Sequence, residues 1–157
     1  MSNNVAKSGG ISFGIAATEF ENDHILYSEP IMIEGENPHL RFWHRFDTEP
    51  GNDGGFLQIS NDGGVTWRLI NDKFLRNGYI TNMAWTTFPI PSVRGFSGTS
   101  NDKFIDSYID LNEFKGQELI FRWRFGTNDN TSVPSPLAGW FLDDVEIMDL
   151  LTYSSKA

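Results

Sequence analysis

Asn-Asp-Gly-Gly occurs twice, at 52–55 and at 61–64, with the apolar run Phe56-Leu57-Gln58-Ile59 between the copies. A short apolar run closed at both ends by turn-forming tetrapeptides is best accommodated by antiparallel strands joined through tight turns. The second copy is the more informative, because it continues as Ser60-Asn61-Asp62-Gly63-Gly64-Val65-Thr66-Trp67, a Ser-x-Asp-x-Gly-x-x-Trp pattern. In it Asp62 can accept backbone amides two residues on, the glycines can take positive φ, and Trp67 can cover the turn with apolar surface. This turn fixes hairpin register and is a folding device before it is a catalytic one. The first copy has no Trp cover, which leaves Asp53 open to a ligand.

Two longer segments alternate strictly. In 39–47, Leu40, Phe42, His44 and Phe46 share one face while Arg41, Trp43 and Arg45 share the other. In 118–125, Leu119, Phe121, Trp123 and Phe125 oppose Ile120, Arg122 and Arg124, so both segments read as strands with one dry and one wet face. Further strands are predicted at 11–17, 24–28, 31–33, 56–59, 65–70 and 139–147, whereas 107–111 fits a strand or a short helix. Gly95-Phe96-Ser97-Gly98 reads as a turn. The stretch 71–94 reads as a long connection that carries Trp85, Phe88, Pro89 and Pro91 and lies against the body. With 157 residues, 13 Phe, 5 Trp and 4 Tyr, the chain suits one β-rich domain with a single core. The expected fold is an antiparallel β-sandwich over 11–150, with a linker or tail at 1–10 and a tail at 151–157.

A formal net charge of -9 opposes binding to nucleic acid or anionic lipid and makes a cation the more natural partner. The sequence contains no cysteine, which excludes disulfides, thiolate metal sites and a Cys nucleophile. No stretch approaches the roughly 20 apolar residues of a membrane-spanning helix.

The last predicted strand contains a conflict. Strict alternation places Asp143 on one face with Phe141, Val145 and Ile147, and a buried carboxylate must be paired, hydrogen-bonded or bound to metal. Calcium, a hard cation with oxygen ligands, is one solution. Capping of a neighbouring backbone segment, or a bulge that turns Asp143 outward, is the other.

Several motifs occur in a fixed order: Ser28-x-Pro30, Asp53-Gly54-Gly55-x-Leu57-x-Ile59-Ser60-x-Asp62-Gly63-Gly64-x-x-Trp67, Gly95-Phe96-Ser97-Gly98, Phe121-Arg122-Trp123-Arg124-Phe125 and Gly139-Trp140-Phe141-Leu142-Asp143-Asp144-Val145. The set, from about 19 to 147, resembles the jelly-roll accessory domains appended to secreted bacterial peptidases, including immune inhibitor A metallopeptidases. It is more distantly similar to MAM and gingipain adhesin domains. The resemblance implies a non-catalytic, secreted or cell-surface bacterial module with a structural Ca²⁺. By position it implies Glu21 and Asp143 as ligands, with Glu19 and Asp144 as substitutes. The cysteines of some MAM domains are missing here, and 71–94 matches none of the motifs.

Catalysis has little support in the residues. His24, His39 and His44 form no His-Glu-x-x-His pair, and His44 on an apolar face reads as a satisfied core histidine. Gly95-Phe96-Ser97-Gly98 lacks the spacing of a nucleophile elbow, and no two carboxylates single themselves out for glycoside hydrolysis. Binding has more support. If strands 39–47 and 118–125 were neighbours, Trp43 would lie among Arg41, Arg45, Arg122 and Arg124 and could stack a sugar ring or grip a carboxylate. The simpler reading of the same cluster is an arginine ladder that shields an exposed Trp43 and pairs with surface Asp and Glu. The expected function is thus an accessory binding or stabilising module. A carbohydrate-binding module is the first alternative and a small carboxylate-based glycoside hydrolase the second. The expected partners are other domains of a parent protein and a glycan or protein ligand.

Overall fold

The computed structural model describes residues 7–9, 12–16, 22–83, 93–128 and 138–150. Twelve strands are described: β1 (Phe13–Ala16), β2 (Asn22–Tyr27), β3 (Ile31–Met32), β4 (Pro38–Asp47), β5 (Gly54–Ser60), β6 (Arg68–Leu69), β7 (Phe74–Arg76), β8 (Thr81–Met83), β9 (Val93–Gly95), β10 (Ile105–Asp110), β11 (Glu118–Thr127) and β12 (Gly139–Asp149). A single 3₁₀ turn, Asn112–Phe114, precedes β11. The front sheet runs β1-β12-β4-β10-β7 and the back sheet β2-β11-β5-β6, with β3 pairing the start of β11. Every pairing is antiparallel, and this interleaved order is that of a jelly-roll.

The alternations at 39–47 and 118–125 build the core between the sheets. Leu40, Phe42 and Phe46 from β4 and Leu119, Phe121, Trp123 and Phe125 from β11 are all at least 97% buried. Full burial of each such side chain contributes about 1.5–3 kcal/mol. Phe42 and Trp123 meet edge-on across the core at 5.9 Å. The two strands therefore face one another and are not neighbours: β4 pairs with β10 and β12, and β11 with β2, β3 and β5. Their polar sides look outward in opposite directions.

The two Asn-Asp-Gly-Gly copies do different work. The second turns the chain, with Gly63 and Gly64 at φ +73° and +91°. In the first, Gly54 and Gly55 already belong to β5, and the missing side chain of Gly55 makes room for the Trp140 ring. Gly95-Phe96-Ser97-Gly98 does more than turn. Phe96 exchanges backbone hydrogen bonds with Gly55, and its ring lies 4.4 Å from His44, 5.0 Å from Tyr79 and 5.8 Å from Trp140. The stretch read as one long connection contributes β7, β8 and β9, while Trp85, Phe88, Pro89 and Pro91 lie outside the described residues. Between the two readings of 107–111, β10 is a strand.

Strict alternation fails in β12. Asp143 stands opposite Trp43 and Glu146 opposite Arg41, three steps on one strand against two on the other, so one extra residue is inserted. Asp144 absorbs it at φ +45°, a left-handed conformation that a short polar side chain tolerates. Before the bulge Trp140 and Leu142 point into the core, and after it Ile147 packs against the core again. Asp143 is thereby on the outer face beside Trp43 rather than on an aliphatic one.

Candidate functional site

The bulge organises the outer face of the front sheet. Asp143 Oδ2 accepts the backbone N–H groups of Lys7 (2.9 Å) and Ser8 (3.1 Å), and its Oδ1 accepts the amide of Asp144 (2.8 Å). Asp144 accepts the Lys7 ammonium at 2.9 Å and the Ser8 hydroxyl at 2.8 Å. The Lys7 hydrogen bond, followed by that of Ser8, holds the Asp144 carboxyl below its ordinary range. Two residues of the segment read from sequence as a linker are thus docked on the last strand.

This docking carries Lys7 over Trp43, with Nζ 4.5 Å from the ring centroid, while the Arg41 guanidinium approaches the same ring at 5.0 Å. Arg41 bridges Glu146 (3.2 Å) and the buried Asp106 (3.5 Å), and its Nε is buried without a partner among the described residues. Lys7, Arg41, Trp43, Asp144, Val145 and Glu146 together line an open groove of about 350 Å³. Trp43 and Arg41 were expected here. Glu146 was not, since only the bulge brings it opposite Arg41, and no local signal marked Lys7.

The other three arginines of the expected cluster are elsewhere. Arg45 is 3% exposed, pairs with Asp102 at 2.5 Å and lies over the Phe141 ring, away from the groove. Arg122 and Arg124 lie on the outer face of the back sheet. Arg124 forms a two-pronged pair with Asp23 at 2.9 and 2.6 Å. Arg122 stacks 4.0 Å from the centroid of Trp67, and Trp67 in turn meets Tyr27 at 5.7 Å.

Trp67 is held by its own turn. Asp62 Oδ1 accepts the amides of Val65 (3.1 Å) and Thr66 (2.9 Å), three and four residues on, and Trp67 Nε1 donates to Gly64 O at 3.1 Å. The hydroxyl and amide of Thr66, with Ser60, hold the Asp62 carboxyl down at about 2.

Two buried polar groups, His44 and Asp53, are engaged in holding the fold. His44 is fully buried and accepts Trp140 Nε1–H on Nδ1 (3.1 Å), so Nε2–H donates to Ser107 Oγ (2.9 Å), which donates to Asn77 O (2.6 Å). Burial lowers its pKa to about 3. Asp53, left open to a ligand by its sequence, is 1% exposed and accepts the amide of Asn128 at 2.8 Å. Burial foremost, then the charge of Glu49, pushes it up to about 6. That is the kind of carboxyl a hydrolase would use, but here it is buried and spent on a backbone amide.

For calcium, the described donors do not by themselves fit the ion. Asp143 and Asp144 are engaged by N–H, O–H and ammonium donors, and among the described residues no group of three His, Cys, Asp or Glu side chains gathers. Glu19 and Glu21 lie outside the described residues. Nor does any helix among the described residues have the length and apolarity to cross a membrane.

No protein-family model matches the chain, and no curated protein matches it.

Proposed function

We propose that this chain is a non-catalytic accessory module of a larger secreted bacterial protein, a peptidase or adhesin, and that it binds a glycan on the outer face of the front sheet. The observation that carries the reading is the Trp43 groove, where an indole flanked by Lys7 and Arg41 adjoins the Arg41–Glu146 pair. The indole offers a flat face for the apolar side of a sugar ring, which would displace the Lys7 ammonium from over it. The guanidinium and carboxylate beside it offer planar donors and acceptors for neighbouring hydroxyls. The motif order described above supports the accessory role and the secreted location.

Titration with a panel of soluble neutral oligosaccharides, followed by Trp fluorescence, is expected to show binding that weakens at least tenfold in Trp43→Ala. That loss equals about 1.4 kcal/mol. Unchanged affinity removes Trp43 from the site, and a panel without any binder removes the glycan.

The structural calcium implied by the resemblance belongs to the same proposal. The ion would have to displace the Lys7 and Ser8 donors from Asp143 and Asp144. On this reading the melting temperature rises with free Ca²⁺ and falls on chelation. A melting curve indifferent to both removes calcium and leaves the Trp43 groove untouched.

A further inference from the structure

The outer face of the back sheet holds two arginines in one row of β11, and their environments differ. Arg124 is neutralised by Asp23. Two residues earlier, Arg122 has no carboxylate within ion-pair distance among the described residues, on a chain whose net charge is -9. Its Nε donates to Gln58 Oε1 at 2.7 Å, which fixes the plane of the guanidinium, and its flat face lies against Trp67. Tyr27, directly opposite Arg122 in the β2–β11 register, is 53% exposed, and its ring stands beside Trp67. The Asp62 turn locks Trp67 in place, so the arrangement is built before any ligand arrives.

We propose that Tyr27, Trp67, Arg122 and Gln58 form a second binding site, for a uronic acid unit of an acidic glycan. The carboxylate would displace the Tyr27 hydroxyl, which hydrogen-bonds the Arg122 guanidinium, and take that edge in a two-pronged contact, while the pyranose ring would lie on the exposed Tyr27 ring. A ligand of this kind combines one anionic group with a flat, partly apolar ring. Arg122 and the paired aromatics supply both needs within one side-chain layer. This site and the Trp43 groove lie on opposite faces of the sandwich, so either can fail without the other.

The test is an NMR titration of the whole chain with trigalacturonate, its methyl ester and poly-glutamate. With trigalacturonate, the Trp67 indole resonance and the amides of Tyr27 and Arg122 are expected to shift, while the ester and poly-glutamate bind at least tenfold more weakly. Tyr27→Ala removes an exposed ring and Arg122→Lys keeps the charge but loses the fork, so each is expected to weaken trigalacturonate at least tenfold with the fold retained. Leu75→Ala, an exposed residue of β7 outside both sites, is expected to leave it unchanged. Equal binding of the ester or of poly-glutamate, shifts confined to Trp43, or unaltered affinity in both back-face variants would each overturn the proposal.

Discussion

Lowering the pH from 8 to 4 will cost the folded chain about 3 kcal/mol through His44 alone. The imidazole stays neutral in the fold down to about pH 3, held by burial and by the Trp140 N–H that occupies Nδ1, whereas the unfolded chain takes up a proton near 6.5. Its contribution is therefore complete above 6.5 and declines as the pH falls toward 3. Asp53 acts in the opposite sense. Its folded pKa is raised to about 6, so its stabilising share is present below 3.8 and is lost as the pH rises through 6. Acidification thus returns about 2 kcal/mol or slightly more from Asp53, and the wild-type curve understates the His44 effect. His44→Gln isolates it. The amide keeps an acceptor and a donor but gives up ring contacts with Phe42 and Phe96, which costs about 1–2 kcal/mol at pH 8. By pH 4 the Gln variant should be the more stable of the two. Urea unfolding at matched pH values measures the difference, and one that does not vary with pH would defeat this account.

Gly55→Ala will destabilise the chain by about 3 kcal/mol or more, the upper end of what overpacking a core produces. A Cβ there would stand 2.2 Å from Cε3 and Cζ3 of Trp140. Neither partner can yield easily. Trp140 is 1% exposed and hydrogen-bonded to His44, while both backbone groups of Gly55 are bonded to Phe96. Gly64→Ala, at the matching place in the second Asn-Asp-Gly-Gly, should cost only about 1–2 kcal/mol. Its new methyl would meet nothing nearer than Trp67 at 3.7 Å, and the penalty is that of a left-handed φ. Thermal unfolding of the two variants tests the contrast, and a Gly55→Ala protein as stable as Gly64→Ala would refute it.

The pattern of residues made the sandwich legible wherever side chains alternate without interruption, as in β4 and β11. It also marked the Asp62 turn, whose chemistry is contained within eight residues. What it could not mark depends on contacts distant in sequence. β4 and β11 share a pattern, and nothing local distinguishes strands that lie side by side from strands that face each other, so one expected arginine cluster became two patches on opposite faces. Asp143 points outward because Trp140 and Leu142 take the core face, and Ile147 regains the core only through a bulge at Asp144, where no glycine signals the left-handed residue. Gly55 looked like a turn residue because its copy at Gly64 is one, and only the approach of Trp140 from far along the chain makes it a packing residue.

The place of β12 in the front sheet also bears on how the molecule is made. The last of the described strands is inserted between β1 and β4, and Phe13 finds its partner only at Leu142. Such long separations slow folding, and a chain emerging from the ribosome at about 5–20 residues per second waits several seconds between making β4 and making β12. Throughout that interval β4 has an unpaired edge and the cavity for Trp140 is unfilled. A nascent chain halted before residue 139 should accordingly be a substrate for chaperones and proteases, and completion of the eleven-residue β12 is the step that fills the gap between β1 and β4.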